Sequence, residues 1–200
     1  MLQLSRIGLT TLTFVILCLG HAAVTRADTI AFTGTNNFPT GGPPRTVDVV
    51  RCGASPPFFR IISPQGTGPS NLGPLTSTLN HCLNTANGNI FDGQATFDVG
   101  GGNSFFGSYV GQITLPPVNG IAPVTLSVTV LGGTGLFAGA SGTILGDEIV
   151  TFLPDGQASG FISYTGTINT VPEPTTLVLL GTGLAGVAAK VRQRRKVRDS

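Results

Sequence analysis

The chain has no tryptophan, only two tyrosines and few charges, with charged residues at 10% of its 200 positions. Carbohydrate binding by exposed aromatic rings therefore ranks last among the binding functions, because only Tyr109 and Tyr164 add to the phenylalanines. Long helical periodicity is also missing from the middle of the chain, which argues against a helical bundle. Instead, 29 glycines and 14 prolines interrupt stretches rich in threonine and phenylalanine. This composition predicts short strands separated by turns.

The positive charge of the chain is confined to its two ends. Although the net charge is +2, residues 28–170 carry three arginines and seven acidic residues, a net charge of −4. A nucleic-acid-binding domain needs a basic face on its folded part. The sequence therefore predicts no nucleic-acid partner.

Residues 1–27 have the three parts of a secretory signal peptide. Arg6 supplies a positive charge, Ile7–Gly20 is apolar, and the small residue Ala27 precedes Asp28. This order predicts export and cleavage between Ala27 and Asp28. The alternative is an N-terminal anchor that stays uncleaved.

Residues 171–200 contain three unlike pieces in a fixed order. Two prolines keep the first piece extended and exposed, and residues 175–191 then form a predicted transmembrane helix of about 26 Å. A basic cap at 190–198 should stay on the cytoplasmic side. The first piece consists of Val171, Pro172, Glu173 and Pro174, and the cap contains Lys190, Arg192, Arg194, Arg195, Lys196 and Arg198.

This order resembles the PEP-CTERM sorting tail of exported bacterial proteins. The resemblance implies that an exosortase, a membrane enzyme similar to transpeptidases, cuts near the Pro-Glu-Pro tripeptide and passes the protein to the cell surface. It also implies a link to exopolysaccharide as a partner. The alternative is an ordinary C-terminal membrane anchor in which Pro-Glu-Pro occurs by chance.

Residues 28–170 are long enough for one domain with its own core. The pattern predicts an all-β, antiparallel barrel or sandwich-like domain, flanked by the signal peptide and the transmembrane helix. Residues 28–84 are expected to be irregular, with loops at 34–37 and 63–74. The predicted strands are Thr46–Cys52, Phe58–Ile62, Ala95–Val99, Phe105–Thr114, Val124–Leu131, Thr143–Phe152 and Ser159–Ile168.

Two cysteines remain in this domain, Cys52 and Cys82. Export implies an oxidising compartment, so a disulfide between them is the first expectation. The competing interpretation is a metal site built from Cys52, His81 and Cys82. Neighbouring residues of an extended chain point in opposite directions, which disfavours that site. No metal and no cofactor are predicted.

A second resemblance lies in the segment Leu131–Gly142, whose sequence is LGGTGLFAGASG. It is similar to a glycine-rich signature of allene oxide cyclase-like and dirigent-like proteins, and the similarity covers residues 90–170. It implies an eight-stranded antiparallel β-barrel with a barrel-like core in that half of the chain. None of the plant enzymes' catalytic residues is carried over.

Three motifs suggest chemistry without the context that the chemistry needs. Residues 133–138 fit a dinucleotide-binding fingerprint but precede a sequence poor in helix formers. His81 is the single histidine after residue 27, and no nucleophile motif accompanies it. Asp147 and Glu148 are adjacent and should project to opposite faces of a strand. No catalytic residue is therefore predicted.

Together these features predict an exported, non-enzymatic protein of the cell surface or extracellular matrix. It would be anchored by its tail and processed by an exosortase-type enzyme. The alternative is an allene oxide cyclase-like barrel that binds or isomerises a small hydrophobic ligand.

Overall fold

The computed structural model describes residues 28–41 and 46–171, together with Gly183 and Gly186. The described residues from 28 to 171 form one compact unit. The predicted signal peptide and sorting tail lie outside the described residues, apart from Gly183 and Gly186, which are helical. Within the part of the chain that the structure describes, no helix is long and apolar enough to cross a membrane.

Nearly all regular structure in the described residues is antiparallel strand, which confirms the all-β prediction. Within the described part of residues 28–171, one short 3-10 turn, Gly135–Phe137, is the exception. The nine strands of the described residues are β1 Asp28–Gly41, β2 Phe58–Ile62, β3 Gly66–Ser70, β4 Gly73–Asn84, β5 Asn89–Asp98, β6 Ser104–Ile113, β7 Ile121–Thr134, β8 Ser141–Phe152 and β9 Ala158–Thr170.

These strands form a single sheet that closes into a ring. From β5 to β9, each strand pairs with the next along the chain, and β9 then pairs with β1. Strand β4 closes the ring because one of its edges pairs with β5 and the other with β2 and β3. The pairing of Asp28 with Thr170 places the first and last residues of the ring side by side.

The second half of the sequence prediction is confirmed, and much of the first half is wrong. Strands β2 and β6 to β9 lie where they are expected, and β5 begins at Asn89, before the expected start at Ala95. The expected loops at 34–37 and 63–74 instead contain parts of β1, β3 and β4, because antiparallel neighbours satisfy the backbone of these Gly-, Asn- and Pro-containing segments. The ring thus takes in strands that precede residue 90.

The expected strand Thr46–Cys52 is also wrong. Thr46 makes an isolated bridge to Arg60, after which the chain turns. The amide of Cys52 donates to the carbonyl of Asp48 (2.8 Å), and the amide of Arg51 donates to the Asp48 carboxylate (3.0 Å). A local side-chain acceptor at Asp48 thus favours a turn over extended backbone.

The ring interior is filled at one end by aromatic side chains, and we call this the packed end. Phe97 stacks on Phe105 with ring centroids 4.8 Å apart, and Phe105 meets Phe137 edge-on at 5.1 Å. Gly133 allows this packing, because a Cβ there would lie 2.6 Å from the Cβ of Phe137. The glycine-rich segment bends the chain at the 3-10 turn, and Phe137 fills the interior.

Candidate functional site

The opposite end of the ring is hollow, and we call it the cavity end. It encloses a cavity of about 480 Å³. Along β1, Phe32 belongs to the packed end and Phe38 lines the cavity; along β9, Tyr164 is packed and Ala158 lines the cavity. Small residues such as Ala158 and Gly160 leave the space that larger side chains fill at the packed end.

Most of the cavity wall is apolar. Every second side chain of a strand points inward, and most of the inward-facing side chains at this end are apolar. Eight of the nine described strands, all except β3, contribute to it, and so does the segment between β6 and β7. A few polar side chains interrupt this surface, chiefly Glu148, His81 and Tyr109. The principal apolar residues are Phe38, Ile61, Leu79, Leu83, Ile90, Ile113, Leu115, Val124, Leu126, Val150, Phe152 and Ala158.

Glu148 is the acidic residue of the cavity. It lies on β8 between the inward-facing Gly146 and Val150, and a Cβ at Gly160 on the neighbouring strand would collide with its Oε1 atom. Among the described residues, no donor makes a hydrogen bond and no cation makes an ion pair with its carboxylate. Removal from water raises the pKa of Glu148 to about 7.

Two further polar groups of the cavity are paired with each other. The Nδ1 atom of His81 on β4 lies 2.7 Å from the hydroxyl of Tyr109 on β6. Burial, and then the charge of Arg51, lowers the pKa of His81 to about 4. Burial also raises the pKa of Tyr109. Both groups are therefore uncharged at neutral pH and share one hydrogen bond.

A smaller polar cluster separates the cavity from the packed end. Asn36 donates from Nδ2 to the Ser77 hydroxyl at 2.6 Å, and Ser77 lies 3.4 Å from the Tyr164 hydroxyl. Along β4, Ser77 lies between the packed Leu75 and the cavity-lining Leu79. Burial raises the pKa of Tyr164, so this hydroxyl is uncharged as well.

The loop at 46–57 lies against the outer surface of the ring and is held there by a disulfide. Cys52 and Cys82 are the pair that the sequence analysis expects, with Cα atoms 5.4 Å apart. Cys82 is on the outer face of β4 while the adjacent His81 lines the cavity. The three residues of the alternative metal site are therefore not brought together.

Arg51 in this loop reaches a bulge in β5. Asp92 is the extra residue of the bulge relative to both neighbouring strands, and its φ is 47°. The Arg51 guanidinium contacts both the carboxylate and the carbonyl of Asp92. The next residue, Gly93, faces Tyr109, where a Cβ would lie 2.6 Å from the ring. The contacts of Arg51 with Asp92 thus help to position Tyr109 in the cavity.

Sequence reasoning found one feature of this site and missed the rest. Asp147 is exposed and Glu148 faces inward, as their adjacency predicts. The period-2 pattern from Ile144 could have assigned Glu148 to the interior. That Glu148 shares a cavity with His81 and Tyr109 depends on ring closure, which is not a local signal. The fingerprint at 133–138 contains the 3-10 turn Gly135–Phe137, and the next element of the described chain is β8.

Of the predicted processing residues, the structure describes Asp28 and Val171, which flank the ring. A family model described as the PEP-CTERM protein-sorting motif matches residues 170–195. No curated protein and no solved structure matches the chain. The resemblance of residues 90–170 to allene oxide cyclase-like proteins thus gains no support. The motif indicates that this is an exported protein sorted by an exosortase-dependent route.

Proposed function

We propose that the exported ring binds a small, largely apolar molecule in its cavity. The observation that supports this proposal most directly is the cavity itself, which has a volume of about 480 Å³, apolar walls and a few polar groups. Ligand sites typically have this size range and this composition. Protein interiors otherwise pack with few voids larger than a water molecule.

The contrast between the two ends of the ring supports this proposal. At the packed end, Phe32, Phe97, Phe105, Phe137 and Tyr164 fill the interior. At the cavity end, Gly160 occupies an inward position beside Glu148. The same ring therefore has a filled core for stability and a separate space for a ligand.

The sorting motif supports a destination for this binding protein. We propose that residues 175–191 and the basic cap at 190–198 hold the exported chain at the membrane. An exosortase-type enzyme then cuts near Pro172–Pro174 and passes the ring to the cell surface or its exopolysaccharide matrix. Fractionation of cells that express the full chain tests this route. Full-length protein confined to the membrane, with no shorter surface form, would contradict it.

The binding proposal can be tested with N-phenyl-1-naphthylamine, an uncharged dye whose fluorescence rises in apolar surroundings. We expect the purified ring to bind it. Val150→Trp should fill the cavity, because Val150 lines it, and should weaken dye binding at least tenfold. Ile149→Trp is the matched control, because Ile149 is the next residue of β8 and is 44% exposed outside the ring.

Equal dye binding by both tryptophan variants would locate the dye outside the cavity and overturn the proposal. Absence of binding by the unaltered ring would do the same. We also propose binding without chemical turnover. Mass spectrometry of a ligand recovered from the protein tests this point, because a catalyst would return an altered molecule.

A further inference from the structure

We propose that the natural ligand of the cavity is an apolar amine whose positively charged nitrogen pairs with the carboxylate of Glu148. This inference rests on the proposed binding function and adds the charge and orientation of the ligand. It starts from the position of Glu148, which lines the cavity and has no hydrogen-bond or ion-pair partner among the described residues.

The cations that the structure describes in the ring are already engaged elsewhere. Arg51 binds Asp92 and Asn80, and Arg60 lies 3.5 Å from Asp48. The sequence has no lysine between residues 28 and 170. Within the described ring, neither arginine is therefore available as a positive partner for the partly buried carboxylate of Glu148.

The groups that face Glu148 leave its charge uncompensated. Tyr109 on β6 and Tyr164 on β9 are close enough for that charge to raise the pKa of both hydroxyls. His81 on β4 shares a hydrogen bond with Tyr109 and is uncharged at neutral pH, and Arg51 acts on that pair from outside the ring. An ionised Glu148 thus makes the cavity negative, which attracts a cation and repels an anion.

The rest of the wall fits the other parts of an apolar amine. The rings of Phe38, Tyr109 and Phe152 line the same cavity and can contact an ammonium group or the hydrocarbon attached to it. A fatty acid would bring a second carboxylate to Glu148, at a cost in Coulomb energy. An aromatic wall with one carboxylate among its described residues therefore favours amines over acids.

This pairing predicts that affinity for an amine depends on pH. Since the pKa of Glu148 is about 7, its carboxyl group is mostly protonated at pH 5 and mostly ionised at pH 8. The amine stays protonated throughout this range. Its affinity should therefore rise as pH increases, by up to about tenfold per unit below pH 7. An uncharged analogue should show no such rise.

The test compares two probes of nearly equal shape, 1-naphthylmethylamine and 1-naphthalenemethanol, as competitors of bound N-phenyl-1-naphthylamine. At pH 8 we expect the amine to bind at least tenfold more tightly than the alcohol. At pH 5 the difference should largely vanish. Glu148→Gln should abolish the preference for the amine at pH 8, because it removes the carboxylate charge. Asp147→Asn removes one negative charge from the exposed face of the same strand and should keep the preference.

The outcomes separate this inference from the proposed function. If the dye binds in the cavity but amine and alcohol compete equally at pH 8, the amine is wrong and the binding function stands. The same conclusion follows if Glu148→Gln retains the preference. Tighter binding of the alcohol at pH 5 than at pH 8 would instead show that protonated Glu148 donates a hydrogen bond to the ligand. If the dye does not bind at all, the binding function itself fails.

Discussion

Arg51 holds Asp92 by two groups at once, the side-chain carboxylate and the backbone carbonyl of the same residue. Asp92 needs such support because its φ of 47° is unfavourable for a residue with a side chain. The loop that carries Arg51 is fixed in turn by the disulfide at Cys52. An external loop thereby stabilises a bulge whose next residue, Gly93, contacts Tyr109 in the cavity.

Arg51→Ala should lower the free energy of unfolding by roughly 1–3 kcal/mol, because hydrogen bonds to charged groups are lost at a strained position. It should also weaken dye binding severalfold through the displacement of Tyr109. Urea unfolding and dye titration measure the two effects. Arg60→Ala is the control, because its ion pair with Asp48 is longer, at 3.5 Å. Equal losses in both variants would contradict a special role for Arg51.

Removing the disulfide should destabilise the ring. Cys52 and Cys82 are separated by 30 positions, and closing such a loop contributes about 3–4 kcal/mol through the entropy of the unfolded chain. We expect a double Cys→Ser variant to melt well below the unaltered protein. Thermal melts with and without dithiothreitol provide the check. The reductant should lower the melting temperature of the unaltered ring and should have no effect on the double variant.

Glu148 should make the ring less stable as pH rises. Its pKa is raised in the folded state, to about 7, and lies near its ordinary value of 4.5 in the unfolded state. Protonation of Glu148 is favoured in the folded state. Its full contribution to stability is therefore present below pH 4.5 and is lost as pH rises through 7. Glu148→Gln should be more stable than the unaltered ring by roughly 1–3 kcal/mol at pH 8.

The stability difference should shrink toward zero near pH 4, and urea unfolding at several pH values measures it. The difference in unfolding free energy between the two proteins must be used, because the lowered pKa of His81 affects both. It acts in the opposite direction and costs stability as pH falls from 6.5 toward 4. Asp147→Asn should show no comparable gain at pH 8. A difference that is constant with pH would show that ionisation of Glu148 is not its cause.

Phe137→Ala should separate stability from binding. Phe137 is buried at the packed end, where its ring meets Phe105, so truncation should cost about 3–5 kcal/mol. The cavity lies at the other end, so the affinity of the folded fraction for the dye should be unchanged. Thermal unfolding and dye titration at low temperature test both statements. A large loss of affinity in fully folded protein would show that the two ends are coupled.

Deleting residues 171–200 should release a folded ring to the medium, because the last strand ends at Thr170 and leaves the ring complete. The full chain should instead be processed near the Pro-Glu-Pro tripeptide when an exosortase-type enzyme is present. Mass spectrometry of the mature protein locates both cleavage sites. Persistence of the deleted form at the membrane would contradict the role of the tail.

The sequence reveals the strands whose pattern is local and misses those whose stability comes from their partners. Val124, Val128 and their neighbours alternate regularly, so β7 is predictable. Gly34 and Asn36 have poor strand propensity and adopt strand because β9 pairs with them. Asp48 shows the opposite error, since a local hydrogen bond turns a segment of good strand composition.

The cavity is less predictable still. Alternation assigns Glu148 to one face of β8, but nothing near it in the sequence indicates that Gly160 is its neighbour or that Tyr109 faces the same space. These relations follow from the order of strands around the ring. That no described residue pairs with Glu148 is also a property of the fold, because it depends on where Arg51 and Arg60 point.

The pairing of Asp28 with Thr170 has a consequence for the life history of the protein. Every described residue that lines the cavity lies between positions 38 and 160, so cuts at the two predicted processing points remove none of them. The proposed ligand binding should accordingly be the same in the precursor and in the mature form. Loading can then precede or follow maturation, and the order of the two events is left to the supply of ligand.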